Sequence, residues 1–179
     1  MLFRSLATPT ISFTVPNQTY GAAPFTVSAT SNSTGAFTYS VVSGPETITG
    51  STVTLTGAGT VVLQASEAAD SNYTAASKNA TFTVGTTAPT ISFSVPNQTY
   101  GAAPFTVAAT SNSTGAFTYS VVSGPATISG STVTLTGAGT VVLQASEAAD
   151  SNYTAATKNA TFTVGLATQI GRASCRERV

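Results

Sequence analysis

The sequence has no histidine or tryptophan, one cysteine, one methionine, and only six basic and six acidic residues among 179. Without histidine the commonest general base is missing, and no Ser-His-Asp arrangement can be assembled. A lone cysteine rules out an internal disulfide and a thiolate-rich zinc site, although secretion stays open because a domain with an adequate core needs no disulfide. No apolar run approaches the roughly 20 residues a membrane helix requires, so no membrane span is expected in this stretch. No signal peptide is read at its start.

The two ends differ in character from everything between them. Residues 1–5, Met1-Leu2-Phe3-Arg4-Ser5, and residues 170–179, IGRASCRERV, resemble translations of common short-read sequencing adapters. On that reading the native chain runs from about Leu6 to Gln169 and is a fragment of a longer protein. Arg4, Arg172, Arg176, Arg178, Glu177 and Cys175 then leave the account. What remains is Lys78 and Lys158 against Glu46, Glu67, Asp70, Glu147 and Asp150, a net charge of −3. A nucleic-acid partner is not expected from so acidic a balance.

What the chain does contain, it contains twice. Ile11 to Gly85 recurs as Ile91 to Gly165 at an offset of 80 residues, with five differences in 75 positions. A repeat this long carries a whole domain and is unlike the short unit of a solenoid. The expected layout is a terminal segment at 1–8, a first repeat at 9–85, a linker at 86–89, a second repeat at 90–165, and a terminal segment at 166–179. Threonine and valine favour pleated strands, and clusters of Gly, Pro, Asn and Ser punctuate them.

Along the first repeat, alternation places Ile11, Phe13 and Val15 on an inner face, then Phe25, Val27 and Ala29, then Phe37, Tyr39 and Val41. Ile48, Val53 and Leu55, the set Val61, Leu63 and Ala65, and the set Ala80, Phe82 and Val84 complete the pattern. Pro16-Asn17-Gln18, Ser43-Gly44-Pro45 and Gly57-Ala58-Gly59 read as breaks. With no useful helical periodicity, the expected fold is all-β: two tandem immunoglobulin-like antiparallel sandwiches of about seven strands each. The five differences (Thr14/Ser94, Ser28/Ala108, Glu46/Ala126, Thr49/Ser129 and Ser77/Thr157) are all expected off the inner face.

The order of motifs in both repeats resembles the bacterial immunoglobulin-like repeats, the MBG-type group in particular. The markers are Tyr20-Gly21, Ser43-Gly44-Pro45, Gly57-Ala58-Gly59 and Asn72-Tyr73, with counterparts at Tyr100-Gly101, Ser123-Gly124-Pro125, Gly137-Ala138-Gly139 and Asn152-Tyr153. The resemblance implies tandem modules of a large bacterial secreted or surface protein, with a spacer or adhesive role. It supplies no catalytic residue.

Candidate chemistry gathers in the irregular stretch EAADSNYTAA from Glu67 to Ala76. Glu67, Asp70 and Asn72, with Glu147, Asp150 and Asn152, offer hard oxygen ligands of the kind calcium takes, but fewer than the six or more it needs. The expectation there is a solvated loop and no cofactor. Tyr73 is expected to anchor the loop through a hydroxyl-to-backbone bond. Sugar stacking on Tyr20, Tyr73, Tyr100 and Tyr153 is the alternative use of these rings. The Asn-x-Thr triplets beginning at Asn17, Asn32, Asn72 and Asn79 read as a consequence of composition. The function expected is a non-catalytic stalk or spacer that is monomeric as a fragment. A carbohydrate-binding accessory module, meeting a surface ligand or polysaccharide, and a homophilic adhesin are the alternatives.

Overall fold

The computed structural model describes residues 5–167. The adapter-like tail and all of the adapter-like head except Ser5 lie outside them. The described residues form sixteen strands and no helix. They divide into two compact units, the first reaching Ala88 and taking in Ser151–Thr154, the second running from Pro89 to Asp150 and resuming at Ala155.

In the first unit the strands are β1 Ile11–Ser12, β2 Gln18–Thr19, β3 Phe25–Thr26, β4 Thr30–Ser31, β5 Phe37–Ser43, β6 Glu46–Thr49, β7 Thr52–Leu55, β8 Gly59–Glu67 and β9 Ala76–Gly85. One sheet has the order β2-β9-β8-β5, another β3-β7-β6, and β1 pairs with β4. The β8–β9 pair is the spine, in register from Gly59↔Val84 to Glu67↔Ala76. Its alternation is strict: Val61, Leu63 and Ala65 are buried between less buried Val62, Gln64 and Ser66, and Ala80, Phe82 and Val84 between exposed threonines. Period-two side chains therefore give this hairpin one dry face and one wet face. The dry face meets Val53 of the opposite sheet, Val27 just past β3, and Phe13 in a single core. There the Phe25 and Phe82 rings meet edge to face at 6.3 Å, the arrangement their quadrupoles favour.

The second unit repeats the plan with β10 Gln98–Thr99, β11 Phe105–Thr106, β12 Phe117–Ser123, β13 Ala126–Ser129, β14 Thr132–Leu135, β15 Gly139–Glu147 and β16 Ala156–Gly165. Its sheets have the orders β10-β16-β15-β12 and β11-β14-β13. A single bridge, Ser92↔Thr110, stands where the first unit has β1 and β4.

The tandem sandwich fold is as expected, and four details differ. Gln18–Thr19 is a strand where a break was expected, pairing in parallel with the end of β9. The expected strand from Phe25 to Thr30 splits into β3, on β7, and β4, on β1. In both regions side chains replace backbone acceptors: Asn17 Oδ1 accepts the Thr83 N–H at 2.9 Å, and Asn32 Oδ1 accepts the Thr10 N–H at 2.8 Å. Val41, expected inward, is 37% exposed and lies just before a register shift in the pairing of β5 with β8; beside the same shift in the second unit, Val121 stays half-buried. Finally, Glu46 is buried although its position was expected off the inner face; at this position the second copy has Ala126, half-buried.

Two residues placed outside the repeats take part in the pairing. Ala7 donates to the Asn72 carbonyl at 3.0 Å and accepts from the Thr74 N–H at 2.9 Å. Thr87, in the linker, does the same with Asn152 and Thr154, at 3.1 and 2.8 Å.

Candidate functional site

The loop after β8 is built around one carboxylate. Asp70 Oδ2 accepts the Ser33 hydroxyl at 3.0 Å and both the Thr34 N–H and hydroxyl at 2.9 Å. Its Oδ1 accepts the N–H groups of Asn72 at 2.7 Å and Tyr73 at 2.8 Å. These five donors tie the SNSTGA turn, residues 31–36, to the loop. The Thr34 and Asn72 N–H groups, then that of Tyr73 and the Thr34 hydroxyl, hold the carboxyl well below the usual carboxylate range, since each bond favours the charged form. Asp150 accepts from Ser113 and Thr114 in the same way, at 3.0 Å and twice at 2.9 Å.

Glu67 does not join it. It is the last residue of β8, opposite Phe37 and Ala76, and only 2% exposed. Both carboxylate oxygens lack a hydrogen-bond partner, as do those of Glu147. The expectation of a solvated loop acid is therefore corrected for both residues: inward alternation carries one step past Ala65 and Ala145 and takes the glutamate inside. Among the described residues no three acidic, cysteine or histidine side chains come together as a metal would require. A cation at Asp70 would have to compete with five donors already in place.

The tyrosines also divide differently from expectation. The Tyr73 hydroxyl accepts from the Asn32 side chain at 3.3 Å; the loop's backbone attachments come instead from the Tyr73 N–H on Asp70 and the pairing of Ala7 with residues 72–74. The hydroxyl-to-backbone bond belongs to Tyr39, which accepts the Ala29 N–H at 2.9 Å. Tyr20, Tyr73 and Tyr153 are half-buried, while Tyr100 is 44% exposed. Asn79 accepts from the Gln64 amide at 3.1 Å, so Asn17, Asn32 and Asn79 all have structural uses that the triplet pattern did not disclose.

Shallow depressions recur in both units. One, of about 330 Å³, is lined by Phe37, Thr38, Tyr39, Gly50 and Ser51. Its counterpart, of about 390 Å³, is lined by Phe117, Thr118, Tyr119, Gly130 and Ser131. A second kind lies around Val15, Pro16, Gln18 and Phe25, with a counterpart around Val95, Pro96, Gln98 and Phe105. None is lined by Glu67, Asp70 or Tyr73. No constellation for covalent or acid–base chemistry is assembled at any of them.

No protein-family model matches the sequence. No curated protein matches it. Similar solved structures include Drosophila N-cadherin EC1-4, at 16% identity and a TM-score of 0.31, covering 85% of this chain and 47% of that one. Another is the fibronectin(III)-like modules of Clostridium thermocellum CbhA, at 13% identity and a TM-score of 0.33, covering 89% and 95%. A third is the endo-fucoidan hydrolase MfFcnA4 from glycoside hydrolase family 107, at 14% identity and a TM-score of 0.37, covering 90% of this chain and 29% of that one. Likenesses this distant assign no function.

Proposed function

We propose that this chain is a section of a tandem array of immunoglobulin-like modules serving as a non-catalytic, load-bearing spacer in a bacterial extracellular or surface protein. The observation that carries this reading is the parallel pairing of the early strand with the last one in each unit: Gln18↔Val84 with Thr19↔Gly85, and Gln98↔Val164 with Thr99↔Gly165. Tension applied at the ends of a module pulls β2 from its N-terminal end and β9 from its C-terminal end. Because the two strands are parallel, those pulls oppose along the strand axis and load the bonds together rather than peeling them singly. The Tyr20 N–H on the Gly85 carbonyl at 2.8 Å and the Thr83 N–H on Asn17 Oδ1 at 2.9 Å extend the joint. Asp70 and the docked Ala7 fasten the remaining loop. The MBG-type resemblance agrees with a spacer role and is the ground for the bacterial, extracellular assignment.

Single-molecule extension of the full chain tests the reading. Two unfolding events are expected, each releasing about 25 nm, the length of roughly 75 extended residues. Asn17→Ala with Asn97→Ala should lower both rupture forces, since forced unfolding follows the unfolding rate. Extension without discrete events, or forces indifferent to those substitutions, would overturn the load-bearing reading. Retention of the chain on a polysaccharide, abolished by Tyr100→Ala, would replace it with the binding-module reading.

A further inference from the structure

We propose that the outer edge of β5, which pairs with no strand among the described residues, is, with its counterpart on β12, a self-association edge that pairs antiparallel with the same edge of a second copy of this chain. The phase of the edge follows from one bond. The Ala68 N–H donates to the Ala36 carbonyl at 3.0 Å, in the register that continues as Phe37↔Glu67, Thr38↔Ser66 and Tyr39↔Ala65. In an antiparallel ladder, residues facing the partner alternate with residues facing away. Thr38 and Ser40 therefore turn their main-chain groups to β8, and Phe37, Tyr39 and Val41 turn theirs to the open side. The Ala148 N–H on the Ala116 carbonyl at 3.0 Å sets the same phase for Phe117, Tyr119 and Val121.

This edge differs from the other sheet edges of the first unit. β2 and β3 have two residues each, and β6 has four and begins with Glu46. β5 has seven residues, FTYSVVS, without a charge or a proline. Short length, charge, proline and bulges are devices that keep an edge from pairing with another chain; β5 carries none of the first three, and its one irregularity, the register shift between Val41 and Ser43, lies at its far end and leaves Phe37 to Val41 in register. Large apolar side chains are also exposed on it: Val41 at 37% and Val42 at 52%, with Val122 at 53% on β12. The depression lined by Phe37, Thr38, Tyr39, Gly50 and Ser51 takes in three residues of this strand.

The occupant is inferred from symmetry and charge. The outward groups of Phe37, Tyr39 and Val41 are centred on Tyr39. A two-fold axis there sets Tyr39 opposite Tyr39 of the second copy and Phe37 opposite Val41, completing about six backbone hydrogen bonds. A neutral edge meets a neutral edge without repulsion, whereas a charged partner would find no counter-charge on β5. A glycan has no alternating amide ladder to offer.

The full chain is examined by sedimentation equilibrium from about 1 µM to about 1 mM, the range in which weak pairing registers. The mean mass should rise with concentration. Amide exchange at Phe37, Tyr39 and Val41, and at Phe117, Tyr119 and Val121, should slow only in the concentrated sample. Ser40→Lys with Ser120→Lys, on exposed side chains, should weaken association at least tenfold while leaving the circular dichroism unchanged. Val42→Lys with Val122→Lys repeats the test should the first variant lose its fold. A mass that stays monomeric throughout, association that persists in the folded lysine variants, or a rising mass with unchanged exchange at those amides would each overturn the proposal.

Discussion

The Tyr39 hydroxyl accepts the Ala29 N–H at 2.9 Å, and Tyr119 does the same for Ala109. Strand β5 is thereby bonded to the chain just before β4, at the position where β3 and β4 part company. The ring is fixed by Phe13 at 5.7 Å and by Phe37, stacked at 6.4 Å. Tyr39→Phe keeps that packing and removes only the acceptor. Leaving a partly buried N–H unpaired costs about 1–3 kcal/mol. Urea unfolding should show the first unit destabilised by that amount, and an unchanged midpoint would show that water replaces the hydroxyl.

What the sequence disclosed and what it hid follow from one distinction. Alternation reports which side chains leave water, and for Val61 to Ala65 and Ala80 to Val84 it reported correctly because these strands are long and lie in mid-sheet. It does not report where a strand ends or changes partner. Gln18–Thr19 was unreadable because two residues cannot show a period, and because the acceptor for Thr83 comes from the Asn17 side chain. Glu67 was misplaced because an acidic residue next to a polar loop resembles a loop residue, although its parity is that of Leu63 and Ala65. Asp70 was legible as a loop acid, but its five donors come in part from Ser33 and Thr34, far away in sequence.

Asp70 should govern acid stability. Its folded carboxyl is held below the unfolded value of 3.8 by the Thr34 and Asn72 N–H groups. The native state thus binds fewer protons than the unfolded one in this window, and the stabilisation, full above 3.8, is lost as pH falls below it. Asp70→Asn should flatten that loss and raise amide exchange in residues 31–36 at neutral pH. If acid unfolding of the first unit keeps its wild-type profile in the variant, Asp70 is not the group responsible.

Glu46 should act with the opposite sign, and only in the first unit. Burial raises its carboxyl above 4.5, so the native state holds the proton longer. Its contribution is greatest below the unfolded value and declines as pH rises from there through the raised folded value. Glu46→Ala, which gives the first copy the residue of the second, should remove this decline. Denaturation curves of the two forms between about pH 4 and pH 7 decide the matter, and parallel profiles would refute it.

Glu67 presents a simpler case, since both its oxygens are buried and without partners. An unsatisfied buried polar group costs about 1–3 kcal/mol. Glu67→Leu should therefore stabilise the first unit by an amount of that order, seen as a higher urea midpoint. A loss of stability would mean that the carboxylate has a favourable interaction, such as one with ordered water.

Two glycines separate steric from conformational cost. A Cβ on Gly35 would overlap the Ala68 carbonyl oxygen, which belongs to the backbone of a residue whose N–H is bonded to the Ala36 carbonyl at 3.0 Å. Gly50 has a φ of +61° but open space around its ideal Cβ. Gly50→Ala should cost only the left-handed penalty of about 1–2 kcal/mol. Gly35→Ala must displace the 67–70 loop or the SNSTGA turn, breaking the bonds to Asp70, and should cost more than about 3 kcal/mol. Equilibrium denaturation of the two variants gives the order directly. If Gly50→Ala proved the more damaging, the close approach of turn and loop would not be the constraint that fixes this corner of the sandwich.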